Sequence, residues 1–270
     1  MRITSLGFRT DIMLLTLQGS AVEDRGDHLV VRSPGNPAFW WGNFVLLRDL
    51  PGRGGVQRWE KTFAQEFPEA AHRTFGVDGT RGEVADCGEF TAAGYAVDGS
   101  AVMTASSVHE PPHPNRHATC RALDLTDPGD RDAAIALQLA NVPNRDPSIH
   151  REFLARKMEA MSALQEARCA SWFGAFVDGR MLSGMGLFSD GSGVARFQSV
   201  DTHPDARGRG LAGTLVHHVS CYGFADLGAT SLVMVADPGY HAIDIYRSVG
   251  FETTETQTQL ERSPQGAGES

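Results

Sequence analysis

The chain has 270 residues, of which 41% are hydrophobic and 21% charged, so it can bury a core as one large domain or two ordinary ones. Its formal net charge of −9 would repel phosphate backbones, which argues against a nucleic-acid-binding protein. No apolar run approaches the roughly 18 residues that a membrane-spanning helix needs, and the N-terminus lacks a signal-peptide pattern. We therefore expect a cytoplasmic protein with no membrane partner.

The first hundred residues alternate short apolar runs with turn-forming residues. We predict strands at 12–17, 28–32, 39–47, 72–77 and 96–105, and helices at 56–67 and 84–93. Together they form a predicted first domain at residues 1–106. Three prolines then favour an extended, solvated linker at 107–118. Its histidines, His109, His113 and His117, are spaced as metal ligands on a helix, but the prolines prevent a helix there, so we predict no metal site.

The second half, residues 119–262, shows a clearer order of elements. A strand is predicted at 119–125, and Asp127 and Pro128 form the N-terminal signal of a helix that extends to about Val142. The remaining predictions are a helix at 148–167, a hairpin at 170–188, a central strand at 194–200, a helix from 211, a strand at 231–236 and a helix at 242–251. Residues 263–270 are predicted to be disordered.

Residues 200–215, VDTHPDARGRGLAGTL, connect the central strand to a helix through glycines. This arrangement leaves backbone N–H groups unpaired at the helix start, where the helix dipole favours negative charge, and it is typical of a diphosphate site. Gly208, Gly210 and Gly213 fit the dinucleotide spelling G-x-G-x-x-G. That fingerprint expects the strand to enter the first glycine directly, whereas a polar segment at 201–207 intervenes. A dehydrogenase is therefore our third interpretation.

The same stretch meets the pattern [Q/R]-x-x-G-x-[G/A] through Arg207, Gly210 and Ala212. It resembles the acyl-CoA pyrophosphate loop of the GNAT superfamily of N-acyltransferases, and the next strand, at 231–236, and helix, AIDIYRSVGF at 242–251, agree with that family. The β-α-α-β-β-β-α-β-α-β order predicted for the second half is also the family's order. The resemblance implies an acetyl-CoA cosubstrate and no metal.

An internal repeat relates the two halves. A shift of 156 residues without a gap places Gly208 on Gly52, Gly210 on Gly54 and Gly250 on Gly94, which indicates a duplicated unit. In the first copy, proline stands where Arg207 stands in the second, and phenylalanine replaces Tyr246. We therefore predict an α/β (α+β) fold of two GNAT-like domains, each a mixed central sheet flanked by helices. The N-terminal copy is predicted to be degenerate and non-catalytic.

Several groups are candidates for holding the coenzyme. Backbone N–H groups across the glycine loop are expected to bind the diphosphate, with the side chain of Arg209 as a further contact. The residues of this loop are Arg207, Gly208, Arg209, Gly210, Leu211, Ala212, Gly213 and Thr214. By the resemblance, main-chain groups of Val200 and Thr202 bind the pantetheine arm. A bulky side chain at Gly210 is expected to abolish coenzyme binding.

The catalytic assignment rests on the resemblance for the acid and stays open for the base. Tyr246 matches the family's usual general acid, since a phenol remains protonated at neutral pH and can donate to the leaving thiolate. Arg196 occupies the strand position where some relatives carry a carboxylate, and it cannot accept a proton. Asp201, His203 and Asp237 remain candidate bases. The two carboxylates, Asp201 and Asp237, are the predicted catalytic residues because they lie at the C-terminal ends of neighbouring strands.

We predict an acetyl-CoA-dependent N-acetyltransferase that moves an acetyl group to a primary amine of a small molecule or peptide by direct attack. The first domain is expected to pack against the second and shape the acceptor cleft, in a monomer or homodimer. The alternative is a non-catalytic acyl-CoA-binding sensor or assembly module. The identity of the amine is not encoded in any motif, because variable loops form acceptor pockets.

Overall fold

The computed structural model describes residues 1–50, 52, 54–82, 87–142 and 146–263. Contacts divide these residues into two units. The first contains residues 1–103, 235–239 and 253–263, and the second contains residues 104–234 and 240–252. A search of the described helices for a membrane-crossing segment found none of sufficient length and apolarity.

The first unit builds a mixed sheet in the order β1-β2-β3-β4-β11-β5. The strands β3 and β4 are parallel, and β11 is antiparallel to β4. The aromatic side chains of Trp59, Phe63, Phe75 and Phe90 form the centre of one core cluster against this sheet. The elements are α1 (Leu6–Leu17), β1 (Ala21–Asp24), β2 (His28–Arg32), β3 (Phe44–Leu47), α2 (Gly55–Glu66), β4 (Arg73–Val77), α3 (Gly88–Ala92), β5 (Ala96–Ala105) and β11 (Glu252–Arg262).

Two predictions in the first unit were wrong. The predicted strand at 12–17 lies in α1, where Ser5 caps the helix and the Glu255 carboxylate accepts a hydrogen bond from the Leu6 N–H at 2.8 Å. The predicted strand at 39–47 shortens to β3, because Trp40–Gly42 forms a 3-10 turn before it. In addition, β1 was not predicted, and part of the helix predicted at 84–93 lies outside the described residues.

The second unit has the predicted order of elements except for the final strand, which is β11 of the first unit. Its sheet runs β6-β7-β8-β9-β10, antiparallel except for the parallel pair β9 and β10. Asp127 caps α4 by accepting a hydrogen bond from Asp130, as the sequence predicted. The elements are β6 (Thr119–Ala122), α4 (Pro128–Ala140), α5 (Pro147–Glu166), β7 (Ala170–Val177), β8 (Arg180–Ser189), β9 (Val194–Thr202), α6 (Leu211–Ala225), β10 (Ser231–Ala236) and α7 (Ala242–Arg247). The predicted class, a mixed α/β fold, is confirmed.

The division into units differs from the predicted domain boundaries at both ends of the second half. The sequence assigned 252–262 to the second domain, yet β11 pairs with β4, and Leu260 lies in the core of the first unit. Residues 107–118 were predicted to be a separate linker, but they belong to the second unit. Of the predicted disordered tail at 263–270, residues 264–270 lie outside the described residues.

Equivalent elements of the two halves keep the spacing of the repeat. The helices α2 and α6 begin at Gly55 and Leu211, which are 156 residues apart, and the strands β5 and β11 begin with the same separation. The glycines that precede the two helices, Gly54 and Gly210, share a left-handed φ of 74°. A backbone conformation that favours glycine therefore recurs at equivalent positions.

Candidate active site

The loop between β9 and α6 presents a run of unpaired backbone donors. Gly208 and Gly210 adopt left-handed φ angles of 71° and 74°, which let the chain turn tightly into α6. Among the described residues, the backbone N–H groups from Gly208 to Gly213 donate no hydrogen bond to another backbone carbonyl. The N–H groups of Arg207 and Thr214, in contrast, bind carbonyls in the same segment. The unpaired N–H groups therefore run from Gly208 to Gly213, whereas the sequence predicted a set from Arg207 to Thr214.

A β-bulge in β9 lies just before this loop. The register pairs Gln198 with Gly186 of β8 but Asp201 with Gly184, so β9 carries one extra residue. Ser199, within the bulge, has a positive φ of 54°. Such bulges re-aim the side chains that follow them, and here the next charged side chain is that of Asp201.

The C-terminal half of β9 extends beyond its pairing with β10. In the described chain the ladder between these strands ends at Arg196, opposite Val233. The His203 N–H donates to the Leu182 carbonyl of β8 at 2.9 Å. Neighbouring residues of a strand direct their main-chain groups to opposite sides. The backbone N–H and carbonyl of Thr202 therefore point away from β8. Val200, the other residue predicted to bind pantetheine, directly follows Ser199.

Asp201 lies in a partly desolvated position with two cations near it. Burial raises the pKa of its carboxyl group to about 6, and the positive charges of Lys157 and Arg207 oppose that rise. Arg207 is held by Asn141, whose side-chain oxygen accepts a hydrogen bond from the guanidinium at 2.7 Å. Asp201 is therefore ionised near neutral pH but remains basic enough to accept a proton.

Lys157 is a functional candidate that the sequence analysis missed. Its ammonium group on α5 donates to the side-chain oxygens of Gln138 at 2.9 Å and Ser199 at 3.1 Å. It also lies 5.7 Å from the centre of the Trp172 ring, and burial lowers its pKa. The sequence could have indicated this residue, because position 157 lies on the apolar stripe of α5. A charged side chain on an apolar helix face needs a partner.

Tyr246 lies on α7 with a side chain that is buried to 7% exposure. Burial raises the pKa of its phenol to about 12, and the neighbouring Tyr240 and the charge of Asp201 add to that rise. The phenol therefore stays protonated at neutral pH. The structure brings Tyr246 and Asp201 within electrostatic reach of each other, although the sequence separates them by a helix and a strand.

The other two candidate bases stabilise turns. Asp237 is exposed, and its carboxylate accepts a hydrogen bond from the Gly239 N–H at 2.8 Å. The His203 ring nitrogen accepts one from the Asp205 N–H at 3.3 Å, at the start of a 3-10 turn. Both contacts are the local side-chain-to-backbone bonds typical of polar residues in turns.

The segment at 107–118 packs against the second unit and is not a solvated linker. Its Pro111 side chain is buried and contacts Gly213 of α6, and the His109 N–H donates to the Val249 carbonyl at 3.0 Å. The segment therefore lies over the start of α6 and reaches the end of α7. Within the described residues, no group of three or more His, Cys, Asp or Glu side chains is arranged to hold a metal ion.

The equivalent loop of the first unit has a different environment. The Gly54 N–H donates to the Glu89 carboxylate at 2.9 Å, so an internal anion occupies the donor at the start of α2. A cavity beside this loop is lined by the carboxylates of Asp27 and Asp49 and by the Arg58 guanidinium, which pairs with Asp27. Phe90, the counterpart of Tyr246, is 2% exposed and has no ionisable group. Pro51 and Arg53 lie outside the described residues.

Comparison with known proteins agrees with these observations. Residues 137–251 match the model of the acetyltransferase (GNAT) family. A GCN5-related N-acetyltransferase from Kribbella flavida is similar in structure, with 16% identity, a TM-score of 0.66 and 97% of both chains covered. A conserved protein of unknown function from Staphylococcus epidermidis aligns with 9% identity and a TM-score of 0.67, over 91% of this chain and 95% of the other.

A third similar structure bears on the duplication. A tandem GNAT protein from the clavulanic acid biosynthesis pathway aligns over 96% of this chain and 89% of its own, with 14% identity and a TM-score of 0.56. A search of curated protein sequences gave no significant match. Residues 137–251 are thus similar to the GNAT acetyltransferase family, and over 96% of its length the chain has a fold similar to that of a tandem GNAT protein.

Proposed function

We propose that the second unit transfers an acetyl group from acetyl-CoA to a primary amine of a small molecule or peptide. The observation that supports this best is a single juxtaposition at the end of β9. A run of unpaired backbone donors begins at Gly208, and the Asp201 carboxylate and the buried Tyr246 phenol lie within electrostatic reach of each other just before it. A binding loop and a base–acid pair thus share one strand end.

The coenzyme would be held mainly by the main chain. The N–H groups from Gly208 to Gly213 are available to the diphosphate, and the start of α6 contributes its positive dipole end. The exposed Arg209 guanidinium adds a charged donor at the same loop. Thr202 and Val200 at the end of β9 are the proposed main-chain partners of the pantetheine arm.

The proposed reaction is direct transfer. Asp201 accepts a proton from the ammonium group of the acceptor, and the neutral amine then attacks the thioester carbonyl carbon. The new C–N bond forms, the C–S bond breaks, and Tyr246 donates its proton to the departing thiolate. The acylated nitrogen then releases its second proton, through solvent, to the Tyr246 phenolate, and Asp201 returns its proton to solvent. With a pKa of about 6 the carboxylate is mostly ionised at pH 7, and with a pKa of about 12 the phenol keeps its proton until it is needed.

We propose no acyl-CoA chemistry for the first unit. The Glu89 carboxylate already binds the loop donor at Gly54, and the Arg58 guanidinium beside the loop already pairs with Asp27, so neither group is free for a diphosphate. Phe90 also cannot serve as a proton donor. These contacts support the interpretation of the first unit as a non-catalytic copy.

A coupled assay tests the proposed function. The full chain is incubated with acetyl-CoA and a panel of amines, and the released thiol is measured. We expect turnover with at least one amine, and a loss of about a hundredfold or more in kcat for both Asp201→Asn and Tyr246→Phe. Tyr95→Phe is the matched control, because Tyr95 is also a buried tyrosine with a raised pKa but lies in the first unit.

Two other outcomes are informative. Binding of acetyl-CoA without release of thiol for any amine would contradict catalysis and support the sensor or assembly module. A large loss of activity in Asp237→Asn with a small loss in Asp201→Asn would transfer the role of base to Asp237. Asparagine can keep the turn at position 237, so this comparison does not depend on misfolding.

A further inference from the structure

We infer that Asn115, in the segment before β6, is a positioning residue for the coenzyme loop. The inference rests on the proposed function and concerns a residue far from the loop in sequence. The Asn115 side-chain amide donates to the Arg209 carbonyl at 2.9 Å. Its backbone N–H donates to the Thr214 hydroxyl at 2.8 Å. One asparagine therefore binds the loop on both sides of Gly210.

These bonds fix the direction of two donors. In a trans peptide the carbonyl and the N–H point to opposite sides, so holding the Arg209 carbonyl toward Asn115 directs the Gly210 N–H away from it. The Thr214 hydroxyl donates to the Gly210 carbonyl at 2.8 Å, which in the same way directs the Leu211 N–H out of the helix start. Asn115 thus sets the orientation of the Arg209–Gly210 peptide, which precedes α6. The next carbonyl, that of Gly210, is held by Thr214 itself, through its hydroxyl and through its backbone N–H at 3.1 Å.

The loop needs such a restraint because its own sequence is permissive. Arg209 lies between Gly208 and Gly210, both with positive φ, and glycines on each side let the intervening peptide rotate. Rotation of the Arg209–Gly210 peptide would replace an N–H donor by a carbonyl oxygen, which repels a diphosphate. A fixed partner for the Arg209 carbonyl removes this alternative before the ligand arrives.

Asn115 is itself held in place. Its side-chain oxygen accepts a hydrogen bond from the His117 N–H at 3.0 Å, which fixes the amide so that its nitrogen faces Arg209. The preceding residues approach the loop closely, since a Cβ added to Gly210 would lie 2.2 Å from the His113 carbonyl oxygen. The segment and the loop therefore fit together as a rigid pair.

The test compares Asn115→Ala with His117→Ala in the full chain. His117 is exposed in the same segment, and its contact to Asn115 uses the backbone, which alanine retains. Calorimetry with CoA should give a Kd about tenfold higher for Asn115→Ala, the loss expected for one hydrogen bond, and an unchanged Kd for His117→Ala. In turnover assays the KM for acetyl-CoA should rise, while kcat at saturation stays near the parent value.

A second substrate separates positioning from a general structural role. S-acetylpantetheine carries the thioester but no diphosphate, so its kcat/KM should be the same in Asn115→Ala and in the parent. An equal loss with both thioesters, or an unchanged Kd for CoA, would overturn the inference. Asn115→Asp should weaken CoA binding at least as much as alanine, because it keeps the acceptor for His117 but loses the donor. If the parent itself does not bind CoA, the proposed function fails first.

Discussion

Opposing influences act on the carboxyl group of Asp201. Burial favours its neutral form, whereas Lys157 on α5 and Arg207 after β9 favour the carboxylate. The Tyr246 phenol on α7 faces the same group but carries no charge near neutral pH. Activity should therefore rise with pH through about 6, because the base works only when it is ionised.

Removal of the Lys157 charge should move this pH dependence. In Lys157→Met the carboxylate of Asp201 loses a cation, so its pKa rises and the acidic limb of kcat/KM shifts to higher pH, by about one unit. Lys157→Arg keeps the charge and should leave the limb within a few tenths of a unit. The pH profile is measured with saturating acetyl-CoA and one amine throughout.

The chain's other lysine provides the control. Lys61 is exposed on α2, and Lys61→Met changes the net charge by the same amount. If the acidic limb of the kcat/KM profile shifts equally in Lys157→Met and Lys61→Met, the shift is an effect of net charge. A limb that does not move in Lys157→Met would contradict the role of Asp201 as base or that of Lys157 as its neighbour.

Among the elements, the glycine loop shows that two glycines of one motif serve different purposes. A Cβ at Gly208 would meet no atom within 4 Å, whereas one at Gly210 would collide with the backbone at His113. The sequence indicated that Gly210 is needed for the approach of the ligand. In the structure, Gly210 is also needed because the backbone at His113 leaves no room for a side chain. A substitution at this position therefore disturbs packing as well as coenzyme binding.

We therefore predict different outcomes for Gly208→Ala and Gly210→Ala. Gly210→Ala must displace residues 113–115 and should lower both the Tm and the affinity for CoA. Gly208→Ala has free space and costs only the strain of a left-handed φ, about 1–2 kcal/mol, so its Tm should fall less. Differential scanning calorimetry and CoA titration measure both quantities. Equal losses of Tm would contradict the assignment.

Elements that depend on local signals were predictable, and those that depend on distant partners were not. The α4 cap at Asp127 and the glycine loop are each determined by residues adjacent in sequence, so both were predicted correctly. The apolar run at 12–17 fits a strand or a helix equally well over so few residues. Its helical form in α1 is supported by Glu255, which is adjacent only in the fold. The contacts of Asn115 are equally distant in sequence.

At the level of the complete chain, the first unit depends on a strand from the opposite end of the sequence. Glu255 of β11 accepts hydrogen bonds from the Ser5 hydroxyl at 3.0 Å and the Leu6 N–H at 2.8 Å. Gln257, two residues on, donates to Asp11 of α1 at 2.7 Å. No alternating pattern in β11 identifies which sheet it joins, and its position in the sequence alone places it with the domain that precedes it.

Glu255→Ala tests this dependence. The variant leaves the start of α1 without its carboxylate acceptor, and we expect the free energy of unfolding to fall by about 1–3 kcal/mol. Glu252→Ala, an exposed position on the same strand, should change it by less than about 0.5 kcal/mol. Urea unfolding followed by tryptophan fluorescence measures the change, since Trp59 is buried in the first unit. Equal effects of the two variants would contradict the role of Glu255.

The position of β11 also has a consequence for synthesis. On the ribosome, the residues up to β5 emerge long before the strand that lies between β4 and β5, so the nascent sheet has a gap with two unpaired edges. Such edges favour aggregation until they are covered. The N-terminal unit can therefore complete its fold only after β11 has been synthesised, and a chain that stops before residue 252 would leave the facing edges of β4 and β5 exposed.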